Sequence, residues 1–283
     1  MLYEIYDKIN VYPNLLSISE RQKMKETVLF FSKLHPKKIS ISFTWDDNFS
    51  RHIEFIAPTF RQYYLKCTFY VNPGEPDFVA RLAPEYAQLS MEGFEIGSHG
   101  YTHHHFSKLT EEKYMDQLIQ SKKAIESLTQ KIPITFAFPH HDFTQNMLDK
   151  AYHVYFETRN TLNNTPRFSL KSNTSLSDVE NALKSAVSNK NSIVFSGHSI
   201  SLCTDKNYLD GYEPISLDNL HDILKKVLCY KEYADICTFE QASLKEYIRN
   251  NCCYTNEQVK FTGTQMSHLE NFGITFERIK EMI

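Results

Sequence analysis

Two adjacent acids, Asp46 and Asp47, close the apolar run that begins at Ile39 and ends at Trp45. A strand that delivers carboxylates at its C-terminal tip and then turns into a helix is the usual layout of a catalytic edge in a parallel α/β protein. A helix cap would account for one aspartate, not for the pair. His99 and His103 stand four apart, a spacing from which two imidazoles reach one metal ion. With 12 histidines in 283 residues, about half a pair at that spacing arises by chance, so location carries the argument: this pair also follows a strand. His104 and His105 adjoin it, and a surface histidine tract with incidental metal affinity is the plainer alternative.

Two imidazoles and one carboxylate cover one face of a metal and leave positions open for water and substrate. A metal held that way brings water to a pKa of about 7 and polarises a carbonyl oxygen. A second carboxylate then has a separate job as a base, which gives Asp46 and Asp47 different roles. His198 ends the run Ser192 to Gly197. It is the third strand terminus to present an ionisable group and a candidate general acid, a role worth roughly 10²- to 10⁴-fold in rate. A fourth terminus reads Phe138-Pro139-His140-His141-Asp142. The proline stiffens the turn, so the N–H of His140 can be held as an oxyanion donor; an ordinary turn is the alternative. Trp45, Tyr101, Phe106 and Phe143 border these segments and are candidates to stack on sugar faces, although most aromatic residues are core.

The elements that must position these groups alternate. Ser17 and Glu20 form a capping box opening a helix over 17–34, closed at His35-Pro36. Strands are expected over 39–45, 66–72, 94–98, 134–138, 153–157, 192–196 and 234–237. Helices are expected over 52–65, 76–92, 110–130 and 216–229, with a capping box at Ser177 and Glu180 starting one between the fifth and sixth strands, and Thr238 with Gln241 capping the last strand's successor. A final helix is expected over 275–283. Seven short strands alternating with helices imply a parallel sheet, either a (β/α) barrel or an open doubly wound sheet.

Bulk properties set limits. A chain of 283 residues with 41% apolar content buries a substantial core, and the absence of repeats or Pro/Gly-rich linkers argues for one compact domain. The net charge of −3 leaves no positive excess to hold a phosphate backbone, which argues against nucleic acid. Six cysteines at irregular spacing suggest neither a disulfide scaffold nor a zinc ribbon. The N-terminal stretch lacks a secretion signal's uninterrupted apolar core and no run approaches a membrane span, so a cytoplasmic protein with reduced thiols is expected.

The motifs, in this order, resemble the polysaccharide deacetylase family, the NodB-homology carbohydrate esterases. Thr44-Trp45-Asp46-Asp47 resembles its first motif, Ser98-His99-Gly100-Tyr101-Thr102-His103 its second, Phe136-Ala137-Phe138-Pro139-His140-His141, loosely, its third, and His198 the histidine of its last. The likeness runs from about Ile39 to Cys237. It implies a single-domain α/β fold, a distorted (β/α)7 barrel over 39–250, with helical extensions over 1–38 and 251–283. It implies Asp46 as general base, Asp47, His99 and His103 as metal ligands and His198 as general acid. Three departures stand out: Asn48 replaces a glycine, Ala137 replaces an arginine, and His140-His141 replace Tyr-Gly. Asp142, Arg159 and Arg167 are the candidates for orienting His198.

The expected activity is hydrolysis of an N-acyl group, most simply N-acetyl on an amino sugar or glycan. The cofactor is a divalent metal, zinc first, with cobalt, nickel or iron(II) as alternatives. Asp46, His198 and His140 act in catalysis, and Trp45, Tyr101 and His141 contact substrate. Two rivals remain: a glycan-binding or interaction protein that keeps the barrel without turnover, and a non-haem iron oxygenase using the same two-histidine, one-carboxylate face. The oxygenase has no use for Asp46 or His198.

Overall fold

A computed structural model of the chain describes residues 38–159, 165–203, 214–255, 258–261 and 263–282; the helix expected over 17–34 lies outside them. At the centre is β1 (Ile39–Asp46), buried along its whole length. Its residues alternate: Ile39, Ile41, Phe43 and Trp45 enter the main apolar cluster, while Ser40, Ser42, Thr44 and Asp46 form the polar face. One edge of β1 pairs with β7 (Ile193–Gly197), from Ile41 opposite Ile193 to Trp45 opposite Gly197. The other edge pairs with β2 (Thr68–Val71) through Thr44 to Asp46, and with β10 (Ala234–Ile236) through Ile39 to Ile41.

The remaining strands extend the sheet: β3 (Glu95–Ser98), β4 (Thr135–Phe136) and β5 (Glu157–Thr158) beyond β2, and β6 (Arg167–Ser169) beyond β7. Every pairing is parallel, in the order β5-β4-β3-β2-β1-β7-β6. This curled all-parallel sheet with its helices is the expected NodB-type barrel. It has one strand more than expected, because β6 is a three-residue edge strand with no apolar run to betray it. All C-terminal tips lie at one end, which is what brings Asp46, Ser98, Phe136 and Gly197 together.

Two expected helices are interrupted by proline. Residues His52–Ile56 wind as a π-helix before α1 (Ala57–Gln62), and Phe78–Leu82 do the same before α2 (Ala83–Met91). Pro58 and Pro84 lack the N–H that an i→i−4 bond needs, so the preceding turn widens. Next comes α3 (Glu111–Thr129), capped by Thr110. The strand expected over 153–157 begins only at Glu157: α4 (Gln145–Val154), capped by Thr144, takes His153 and Val154 into a helix. Its buried Met147, Leu148 and Ala151 pack with Phe136, Phe138 and Tyr155, a packing face too short to read as a period. The helix α5 (Leu176–Asn189) starts two residues before the expected box, because Ser175 rather than Ser177 accepts the N–H of Asp178, at 3.1 Å.

A two-stranded parallel pair, β8 (Ile200–Ser201) and β9 (Ile215–Ser216), precedes α6 (Leu217–Leu228), which Ser216 caps. The reciprocal cap of Thr238 and Gln241 opens α7 (Phe239–Asn251) as expected. One compact unit spans Lys38–Ser243, and the described residues after it belong to a second. That second unit contains the antiparallel hairpin β11 (Cys253–Thr255) and β12 (Gln258–Lys260), then α8 (Gly263–Glu270) and α9 (Phe276–Met282). Among the described residues no helix is long and apolar enough to cross a membrane.

Trp45 fixes how closely β1 and β7 pack. A Cβ on Gly197 would lie 2.7 Å from the Trp45 ring, closer than atoms can approach. Gly197→Ala is therefore expected to lower stability by about 1–3 kcal/mol, read as a fall in the urea midpoint. Adding Trp45→Phe should recover part of that loss, and strictly additive effects would refute the clash.

Candidate active site

Asp46 is the last residue of β1, and Asp47 follows with φ of 70°. That is left-handed backbone, which few residues other than glycine adopt and which aspartate tolerates better than most. There the Asp47 carboxylate lies 3.5 Å from His99 Nε2 and 3.1 Å from His103 Nε2. The three ligand atoms all fall within 4.8 Å of one another.

His99 comes directly after β3. Its backbone N–H donates to the Val71 carbonyl at 2.9 Å, and its ring Nδ1 donates to the Ala137 carbonyl at 2.8 Å. A carbonyl only accepts, so the ring proton sits on Nδ1 and Nε2 offers a lone pair. Burial pulls the His99 pKa down to about 4 against the attraction of Asp46. Burial, with repulsion from His99 and His140, pulls His103 to about 3. Both rings are neutral at pH 7, and the His99 lone pair faces a carboxylate. Such a cluster of electron-pair donors fits a divalent cation, with the second ring nitrogen of His99 oriented by a protein carbonyl as ligating imidazoles usually are.

The loops carrying these ligands are tied together by side-chain amides. Asn48, in the place of the family glycine, donates to the Asn72 carbonyl at 2.9 Å and accepts the Asn72 N–H at 3.0 Å. The Asn72 side chain donates in turn to the carbonyl of His99. Further along, Glu75 accepts the N–H of His103 at 3.1 Å, and Gln117 accepts that of Thr102 at 2.8 Å. Sequence reading missed Asn72, Glu75 and Gln117, since no motif marks a residue that holds a loop.

Asp46 meets Arg159, which follows β5. The guanidinium donates through both terminal nitrogens to the two carboxylate oxygens, one contact at 2.6 Å, and also to the Thr44 hydroxyl at 3.2 Å. Burial pushes the Asp46 carboxyl up, but Arg159 with His99 outweighs it and holds Asp46 well below the usual carboxylate range. Both side chains are almost wholly buried. Arg159 thus orients Asp46, not His198 as it might from sequence alone, and supplies the guanidinium that Ala137 lacks. Asp142 does not serve His198 either: it accepts from the Ser107 hydroxyl at 2.6 Å and from His105 at 3.3 Å. His52 holds the backbone of His198: its Nε2 donates to the His198 carbonyl at 2.6 Å while its Nδ1 accepts the Tyr86 hydroxyl at 2.8 Å. His52 is wholly buried and stays neutral, its pKa lowered by burial to about 4.

Asp46, His99, His103, His140, His141 and His198 line one cavity of about 450 Å³, within the range of small-ligand sites. His140 and His141 have φ of 55° and 54°, a left-handed pair in the turn where Tyr-Gly was expected. The His140 ring stacks on His105, centroids 3.8 Å apart, and lies 4.2 Å from His103. One expected substrate contact is corrected. Trp45 is wholly buried on the helix-facing side of β1, because alternation sends it opposite to Asp46. Tyr101 lies over Gly74 and is exposed. Phe106, like Trp45, is core.

Comparison with known proteins gives a consistent result. The polysaccharide deacetylase domain family matches residues 33–157. A peptidoglycan-N-acetylglucosamine deacetylase of Bacillus cereus is 29% identical over 122 residues, 40% of this chain and 41% of that protein. The chain spans half or less of the curated relatives it matches. The fold is shared with the crystal structure of a peptidoglycan N-acetylglucosamine deacetylase, at 19% identity, TM-score 0.51, 72% of this chain and 88% of that one. It is also shared with a CE4 family pseudoenzyme from Bacillus anthracis, at 18% identity, TM-score 0.50, 74% of this chain and 66% of that one.

Arg159→Leu leaves Asp46 buried without its counter-charge and should cost about 3–5 kcal/mol in urea unfolding. Removing both charges with Asp46→Leu in addition should cost clearly less. Asn72→Ala should weaken divalent-metal affinity by roughly 10- to 100-fold in a competition titration with a metal-sensitive dye, with the fold retained by circular dichroism.

Proposed function

We propose that this chain, whose residues 33–157 match the polysaccharide deacetylase domain family, is a metal-dependent hydrolase removing an N-acyl group, most simply N-acetyl, from an amino sugar or glycan. One observation carries the reading: the Asp47, His99 and His103 ligand atoms gather within 4.8 Å at the edge of a cavity that Asp46 and His198 also line. Asp47, His99 and His103 would hold the cation, zinc by the preference of two imidazoles and a carboxylate with positions left open, with cobalt, nickel and iron(II) as alternatives. A divalent ion there supplies acidity to water and polarises an acyl carbonyl.

The chain's own groups do the rest. Asp46, kept ionised and oriented by Arg159, accepts the proton of the attacking water at a carboxylate oxygen. The N–H of His140 donates to the carbonyl oxygen as negative charge develops on it. His198, held through its backbone by His52, donates a proton to the departing amine nitrogen. His141, at the cavity wall, contacts the sugar. The oxygenase reading leaves the Asp46–Arg159 pair and His198 idle, which weighs against it. The reading as a non-catalytic glycan binder draws on the altered third motif, and the same assay separates it.

Acetate release from N-acetylchitooligosaccharides by the zinc-loaded chain should be abolished by a chelator and restored by metal. Asp46→Asn and His198→Ala should each lower turnover by roughly 10²- to 10⁴-fold with metal retained, whereas His99→Ala should lose the metal. Full activity in Asp46→Asn would remove the base assignment. Sugar binding by the wild type with no acetate released from any acylated sugar would favour the non-catalytic reading.

A further inference from the structure

His140 and His105 stand outside the gathering of Asp47, His99 and His103, yet their rings continue it outward. Centroids are 5.1 Å apart between His99 and His103, 4.2 Å between His103 and His140, and 3.8 Å between His140 and His105. The row runs from buried His99, through part-buried His103, to exposed His140 and the half-exposed side chain of His105. His104, also exposed, lies outside it.

Packing alone does not explain the last two rings. They lie within 13° of parallel, and a phenyl or phenol would stack as well; what an imidazole adds is a nitrogen lone pair. His105 presents one in a fixed direction. Its Nδ1 meets an Asp142 oxygen at 3.3 Å, and the same oxygen accepts the Ser107 hydroxyl at 2.6 Å and the Ser107 N–H at 3.2 Å. A carboxylate accepts, so the ring proton sits on Nδ1 and Nε2 keeps the lone pair. A carboxylate behind the far nitrogen is the usual companion of a metal-binding imidazole, and it raises the basicity of that ligand.

We propose that His105 and His140 form an outer station for a divalent cation of the zinc, cobalt or nickel type, which receives the ion from solvent and passes it through His103 to the inner site. This rests on the reading of Asp47, His99 and His103 as metal ligands, not on the hydrolysis. Two nitrogens on one zinc, each at about 2.1 Å, lie at most about 4.2 Å apart. The spacings from His105 to His140 and from His140 to His103 match that span. An ion can therefore exchange one imidazole for the next without recovering its full water shell between them. Among the described residues only Asp47, His99 and His103 bring three ligand atoms within 4.8 Å. The outer pair offers two, with water completing the shell, so it holds the ion more weakly and releases it inward.

The test uses the full chain after metal removal and reads metal rather than acetate. Equilibrium dialysis with zinc should find one tight and one weaker equivalent, and His99→Ala should lose the tight one and keep the weaker. His105→Phe, which retains a stacking ring, and His140→Tyr, which supplies the tyrosine of the third motif it resembles, should each lose the weaker equivalent with the fold retained by circular dichroism. His104→Ala should keep it. Loading and unloading of the inner site by cobalt(II) are then followed by stopped-flow absorption of the bound ion. A station on the path lowers the barrier in both directions, so its loss should slow loading and unloading alike, by roughly 10-fold, with the inner dissociation constant unchanged. A shift in that constant without a common slowing would mark the pair as a structural brace and overturn the proposal. So would a weaker equivalent that survives both variants, or one that His104→Ala removes, since either is the incidental affinity of a surface histidine tract. Loading slowed as expected in both variants, with no acetate released from any substrate by the wild type, would leave the station standing and remove the deacetylase reading. Hydrolysis by the wild type, with both variants loading at its rate, would remove the station and leave that reading intact.

Discussion

Arg159 and Asp46 meet in a nearly dry interior, and the sheet has to bend for them to do so. In the strand order, β5 lies four places from β1. Strands about 4.8 Å apart would set their tips roughly 19 Å apart in a flat sheet. The contact at 2.6 Å is therefore possible only because the sheet curls back on itself. Each charge is stable in that interior only with the other present, so the pair ties closure of the barrel to the ionisation of Asp46. The same curl encloses the cavity and brings the loops after β1, β3, β4 and β7 to one mouth.

Around that pair, β1 serves two masters by alternation. Its odd-numbered side chains fill the layer between sheet and helices, where Phe43 stacks on Phe195 with centroids 5.0 Å apart. Its even-numbered side chains are hydroxyls and then Asp46, a polar row that approaches the chemistry step by step. Asp47 escapes the alternation by taking a left-handed conformation. Neighbouring carboxylates thus diverge, one to Arg159 and one to the histidines. Backbone strain at Asp47, His140 and His141 is concentrated where ligands and substrate would bind, as is common when surrounding structure over-determines a site.

The departures from the family pattern acquire physical reasons here. Asn48 exchanges two hydrogen bonds with Asn72 and so gains a brace that a glycine could not provide. Ala137 carries no guanidinium, and Arg159, from the other side of the sheet's closure, is the one that meets Asp46. His140 and His141 sustain left-handed backbone that histidine tolerates better than most side chains, in place of the expected glycine.

Much of this was legible in the residues alone. The parallel α/β fold followed from strands and helices in alternation, and the gathering of Asp47, His99 and His103 from a doubled aspartate and an i, i+4 histidine pair at strand tips, because those signals are local. Proline interruptions at Pro58 and Pro84, the helix over His153 and the short edge strand β6 were less visible, since each depends on a few residues whose partners lie elsewhere. Trp45 looked like a sugar platform by proximity to Asp46, yet one step along a strand is a change of face. That Arg159 answers to Asp46, that His52 holds the backbone of His198, and that Arg167 and Lys171 share a cavity with the acid depend on the closure of the sheet. Contacts of that kind join residues more than 100 positions apart, and only the three-dimensional path of the chain decides them.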